Sequence, residues 1–212
     1  MMEYSKGYTP KKRKTRNRQP KKILLINAEG KNKTEKNYFH SFVSDSLVVH
    51  FCSGNDTDPV NMVKKLIAEY QRYELGVGDF AACFVDSDFD EQKDKQLLEA
   101  DRRLKDTKKK NIAMYVSGPC FEIWFLCHFG CPMRHYLSNK EVIADLVKKL
   151  GKYEKNDKNM AKILAGNESI AIENAKKLEE ECFAQGKKWH TVAFKNSTEV
   201  YKIFEKIIMN KA

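Results

Sequence analysis

An α/β fold is predicted: a parallel sheet of about four strands flanked by helices, with a helical C-terminal extension. Three observations lead there. Four short, nearly continuous apolar runs alternate with stretches of helical periodicity, the pattern of strands buried on both faces and joined by right-handed crossovers. After about residue 137 the strand-like runs stop and only helical patterns remain. The chain has 212 residues, 42% of them hydrophobic, with 12 Phe, 9 Tyr and 2 Trp, enough to fill a sizeable core.

The elements follow in order. Residues 22–28 (KILLINA) read as the first strand. Residues 33–44 follow as a helix, with Asn32 as its cap and Glu35 completing a capping box. Residues 47–52 (LVVHFC) form the second strand, and Gly54-Asn55-Asp56 turns the chain. Asp58 caps a long helix with Pro59 in its first position, and Val60, Val63, Leu66, Ile67 and Tyr70 line one face. Residues 80–85 (FAACFV) are the third strand, running into Asp86-Ser87-Asp88-Phe89-Asp90. Residues 93–109 form a polar helix with Leu97, Leu98 and Leu104 inward, and 112–116 (IAMYV) form the fourth strand. Ser117-Gly118-Pro119 then turns into an apolar helix over 120–129. Further helices are expected at 139–150, 159–165, 168–185 and 197–210. This divides the chain into a disordered basic arm (1–21), an α/β core (22–130) and a helical extension packed on it (131–212).

The net charge of +10 is unevenly placed. Residues 1–22 hold nine basic side chains and one acid, which accounts for +8 and leaves +2 for the other 190 residues. Such a block, with Lys11, Lys12, Arg13 and Lys14 at its centre, is suited to contact nucleic acid phosphates and gain affinity by counterion release. The plainer alternative is a solubilising tail. No apolar run approaches the ~18 residues of a membrane span, and no apolar signal-peptide core is found, so a cytoplasmic protein with no membrane partner is expected. The six cysteines should then be reduced. Cys127, Cys131 and His135 lie four apart, but Gly130 and Pro132 interrupt the helix that would align them, and structural zinc is not expected.

In an open α/β sheet, ligands bind outside the carboxyl ends of the strands. The first strand ends in Glu29, the third in Asp86 and Asp88, and the fourth leads to Glu122. On extended backbone Asp86 and Asp88 face the same way, about 7 Å apart, and Glu29 joins them if the first and third strands are neighbours. Three converging carboxylates repel unless a hard cation unites them, and oxygen-only ligands suit Mg²⁺ or Mn²⁺. Acids after a strand also often cap the next helix. An EF-hand loop fails, since Glu91 stands where Gly is needed and Leu97 where Glu is needed. A phosphatase of the haloacid dehalogenase type would carry its acid pair after the first strand, not the third. No G-x-x-x-x-G-K-[ST] is found, so no bound ATP is expected in this chain.

A Glu-Gly after the first strand with Asp-x-Asp after the third resembles the Toprim fold (topoisomerase–primase). Ala28-Glu29-Gly30-Lys31-Asn32-Lys33-Thr34-Glu35, with Tyr38 and Phe39, resembles the opening motif of the RloB-like proteins, Toprim proteins of restriction and abortive-infection loci. Phe84-Val85-Asp86-Ser87-Asp88, Ser117-Gly118-Pro119-Cys120-Phe121-Glu122-Ile123-Trp124 and Asn196-Ser197-Thr198-Glu199-Val200 resemble three further segments of that family. The likeness spans about residues 22–210. Asn27 departs from the family's usual Val, Thr or Cys, and Gly118 from its common Asn.

The resemblance implies a Toprim-like (Rossmannoid) core and one or two Mg²⁺ or Mn²⁺ ions held by Glu29, Asp86 and Asp88. Glu29 is a third ligand or the general acid/base. Glu122, an acid on an apolar helix, is a second ligand or base, or else the partner of a structural cation such as Lys195. Lys31 and Lys33 suit a scissile phosphate near the metal, though exposed lysines beside a helix start are also common. With no topoisomerase or primase modules, the expected activity is hydrolysis of phosphodiester bonds in DNA or RNA, tRNA included. The implied setting is bacterial anti-phage defence by abortive infection, with an ATPase as partner. The rival readings are a non-catalytic nucleic-acid-binding or regulatory subunit, and a phosphatase for small phosphoesters.

Overall fold

The four apolar runs become the four parallel strands of one sheet. The computed structural model describes residues 20–29, 33–88 and 90–208, excluding the side chains of 207 and 208. In chain order the elements are β1 (Lys22–Ala28), α1 (Lys33–His40), β2 (Leu47–Phe51), α2 (Pro59–Arg72), β3 (Phe80–Asp86), α3 (Lys93–Asp106) and β4 (Ile112–Gly118). Then come α4 (Glu122–Cys127), α5 (Asn139–Leu150), α6 (Met160–Leu164), α7 (Glu168–Ala184), β5 (Ser197–Thr198) and α8 (Tyr201–Ile203), which widens into a π-helical segment (Phe204–Ile208). The strand order is β2-β1-β3-β4-β5, with β5 antiparallel to β4. This is a five-stranded, mostly parallel α/β sheet flanked by helices, consistent with a Rossmann-like or Toprim-like fold.

The period-two alternation of β structure assigns side chains to two layers. Leu24, Ile26, Ala28, Ala82, Phe84 and Tyr115 face one side, where they pack with residues of α1, α4, α5, α6 and α7. Leu25, Ala81, Cys83, Val85, Met114 and Val116 face the other, against α2 and α3. The helices after residue 130 thus share one continuous hydrophobic cluster with the sheet. Its aromatic centre includes Tyr38, Phe39, Phe84, Phe121, Trp124 and Phe204; Phe39 stacks on Phe84 at 4.9 Å, and Trp124 Nε1 donates to the Tyr38 hydroxyl at 2.9 Å.

Asp58 caps α2 as expected, its side chain accepting from the Asn61 amide at 2.8 Å with Pro59 next in line. Asn27 has a structural use: it is buried, and its side-chain amide donates to the Met62 carbonyl at 2.8 Å, tying β1 to α2. Gly118 is required by close approach, because a Cβ there would lie 2.8 Å from the Phe194 carbonyl oxygen and 3.1 Å from Ser87 Oγ.

The expected helix over 197–210 begins later. Ser197 and Thr198 instead pair with Gly118 and Ser117, giving the sheet a fifth strand where about four were expected. Two residues carry no readable alternation, so the pattern rules had nothing to act on. The first helix ends at His40 rather than at residue 44, and the apolar helix runs only Glu122–Cys127. Asn32 lies outside the described residues, as do residues 1–19 of the basic arm.

Candidate active site

The site is built where β1, β3 and β4 end together. The register sets Ala28 beside Phe84 and Asp86 beside Ser117. Glu29, one residue past β1, therefore reaches the end of β3, and its Oε2 accepts the Asp86 main-chain N–H at 3.1 Å. Asp86 is the last residue of β3 and lies on the Phe84 face by alternation, the face that carries α1 and α4. Its carboxyl is crowded by Glu35, Glu122, Glu29 and Asp88.

Asp88 is turned differently. The extended backbone that would aim it alongside Asp86 ends at Asp86, and Asp88 takes a left-handed conformation (φ 47°). Its main-chain N–H donates to the Pro119 carbonyl at 3.0 Å. Its two carboxylate oxygens accept from Lys93 Nζ at 2.7 Å and from the Asn139 amide at 3.0 Å. Lys93 is the unforeseen member of the site. Its ammonium also donates to Glu29 Oε1 at 3.0 Å and to the Asp86 carbonyl oxygen at 2.8 Å. The expected three-carboxylate meeting point is thus divided. Glu29 and Asp88 converge on a lysine, and Asp86 faces Glu35 and Glu122. Among the described residues no three His, Cys, Asp or Glu side chains gather closely enough to hold a metal ion.

Glu122 is 1% exposed, at the start of α4. Two groups answer its charge. The Tyr153 hydroxyl donates to its Oε1 at 2.9 Å, and Lys155 Nζ lies 3.6 Å from the same atom. Both come from the polar loop between α5 and α6. That loop is fastened to α1, Thr34 Oγ1 donating to the Lys155 carbonyl at 3.0 Å and the Asn37 amide to that of Asn156 at 2.9 Å.

The electrostatics follow from crowding. Burial, reinforced by Glu35, Glu122, Glu29 and Asp88, pushes the Asp86 carboxyl well above the usual carboxylate range. Burial raises Glu35 to about 7, with Glu122 and Glu29 adding to the shift and its own amide and Lys155 opposing it. Burial also raises Glu29, held back mainly by Lys93. Five carboxylates (Glu29, Glu35, Asp86, Asp88, Glu122) thus face two ammonium groups, Lys93 and Lys155, a formal excess of three negative charges if all ionise.

Lys33 is exposed in the first turn of α1. Lys31, and Lys11, Lys12, Arg13 and Lys14 of the arm, lie outside the described residues. His128 is a core residue: its Nδ1 pairs with the Trp124 carbonyl at 2.9 Å, and burial lowers its pKa to about 4. Glu29, Asp86 and Glu122 were readable as acids at strand ends. Lys93 had a faint signal, a lysine opening the helix after an acid pair. Tyr153, Lys155 and Asn139 had none, because only tertiary packing brings them here.

A mostly parallel α/β sheet with an acid cluster at the carboxyl ends of its strands is the class of protein that these elements define. The chain belongs to the RloB-like family, whose model matches residues 24–207. No curated protein and no solved structure matches it significantly. No helix among the described residues is long and apolar enough to cross a membrane.

Proposed function

We propose that this protein is a metal-dependent phosphodiesterase that hydrolyses DNA or RNA, tRNA among the candidates, as an abortive-infection effector in bacterial anti-phage defence. The observation that carries the reading is the excess of buried and half-buried carboxylate at the strand ends. Its all-oxygen donor set suits a hard divalent cation, and such crowding is costly without added positive charge. Glu29 and Asp88, which already share one cation, would hold Mg²⁺ or Mn²⁺, with Asp86 and Glu122 as further ligands or bases. When bound, the ion supplies Lewis acidity toward a phosphate oxygen and lowers the pKa of water. Glu35, raised to about 7, is poised to take or give a proton near neutral pH. Lys155, with its side chain 56% exposed beside Glu122, and Lys33 face solvent at the rim, where phosphates arrive. The protein would act in the cytoplasm, its arm on nucleic acid phosphates and an ATPase as partner.

A non-catalytic nucleic-acid-binding or regulatory subunit is the second reading. One observation favours it: Lys93 already neutralises Glu29 and Asp88. The two separate on incubation of the protein, with and without its genetic partner, with total cellular RNA and plasmid DNA in Mn²⁺. The hydrolase reading expects discrete cleavage ends that vanish with EDTA and in Glu29→Gln. Absence of cleavage in every arm would leave the binding subunit. Deleting residues 1–20 removes seven basic residues. That deletion should flatten the log–log salt dependence of nucleic acid binding by several units, at ~0.7–0.9 for each phosphate no longer neutralised. An unchanged slope would remove the arm from the interface.

A further inference from the structure

We infer that Lys93 is a resident counter-ion of the acid cluster, a positioning residue that holds Glu29 and Asp88 in place until a divalent cation displaces it. The inference rests on the reading above, that these two carboxylates bind such an ion, and adds how loading is controlled.

All three ammonium protons of Lys93 are accounted for by the groups a cation would use or touch: the Glu29 carboxylate, the Asp88 carboxylate and the Asp86 main-chain oxygen, at 3.0, 2.7 and 2.8 Å. The residue is 8% exposed, so this is an enclosed contact rather than a surface pair. Its placement is otherwise unfavourable. Lys93 is the first residue of α3, a helix of 14 residues, and a cation at a helix N-terminus opposes the macrodipole. Only the acids hold it there. A lysine carries one charge on a flexible four-carbon stem, whereas a divalent ion carries two and accepts oxygens from several directions. When the ion takes the carboxylates, the ammonium is left with one of its three acceptors, and the stem can swing it toward solvent. Lys155 contrasts with it, half-exposed and touching only Glu122 among the acids at salt-bridge distance.

The test reads metal binding, not activity. Titration of the full chain with Mn²⁺ by calorimetry or electron paramagnetic resonance should show tighter binding in Lys93→Met than in wild type, by tenfold or more. A second measurement needs only the wild-type protein. Amine acetylation mapped by peptide mass spectrometry should find Lys93 protected in EDTA and labelled in Mn²⁺. If the Met variant binds Mn²⁺ no more tightly than wild type, or if Mn²⁺ binds while Lys93 stays protected, the displacement mechanism is wrong and the metal site stands. If neither protein binds Mn²⁺, both this mechanism and the metal-dependent reading fail.

Discussion

Asp86→Asn should have two opposite effects. On the hydrolase reading proposed above, Mn²⁺-dependent cleavage should fall about 10³-fold or more, since a lost metal ligand forfeits several kcal/mol of transition-state charge stabilisation. Thermal stability without metal at pH 8 should rise. Asp86 is crowded by four other acids of the cluster. Asparagine keeps the shape and removes the repulsion. Relief on the order of 1 kcal/mol corresponds to about 2–4 °C in Tm for a domain of this size. Paired unfolding scans with and without Mn²⁺ check this: the variant should gain in EDTA and lose the Mn²⁺-induced increment of the wild type. A variant less stable than wild type in EDTA would mean that the cluster is not under electrostatic stress.

The second large effect concerns a residue to which no chemistry is assigned. His190 is clasped on both sides, donating from Nδ1 to Asp101 Oδ2 and from Nε2 to Glu199 Oε2, each at 2.7 Å. An imidazole that donates from both nitrogens is an imidazolium. Burial lowers its pKa, but the hydrogen bonds and charges of Asp101 and Glu199 outweigh this and raise it to about 9. The folded pKa therefore lies above the unfolded value of about 6.5. The clasp contributes fully below pH 6.5 and is lost as pH rises through 9. The shift corresponds to about 3 kcal/mol. His190→Asn, chosen because asparagine tolerates the left-handed backbone found there (φ 52°), should erase that pH-dependent component. Urea unfolding at intervals from pH 6 to 10 should show wild type and variant converging at the alkaline end. A gap that stays constant across that range would show that the histidine is not charged in the fold. Glu199 also accepts the Val116 amide at 2.8 Å and pairs with Lys202 at 2.7 Å, so the clasp fastens the segment that borders the site.

These two residues mark what could be read in the sequence and what could not. β1, β3 and β4 were legible because a buried parallel strand is a continuous apolar run, and α2 because its cap and apolar face are local. Asp86, Glu29 and Glu122 were legible as charges where those runs stop. That Lys93 takes Glu29 while Lys155 lies beside Glu122 was not. The left-handed turn at Asp88 broke the alternation on which the aiming of both aspartates relied, and Lys155 lies 33 residues beyond Glu122 in an unpatterned polar loop. His190 could not be placed either, since its partners lie 89 residues before it and 9 after it and meet only in the folded chain.

The short fifth strand carries a consequence for biosynthesis. Its residues leave the ribosome about 79 positions after Gly118, the end of the strand they cover. At ~5–20 residues per second that is roughly 4–16 s in which a nascent β4 presents an open edge able to pair with other chains. Ser117 and Gly118 reach their final pairing only after that delay. A translation pause within residues 119–196 would lengthen the exposure and favour aggregation of the unfinished chain.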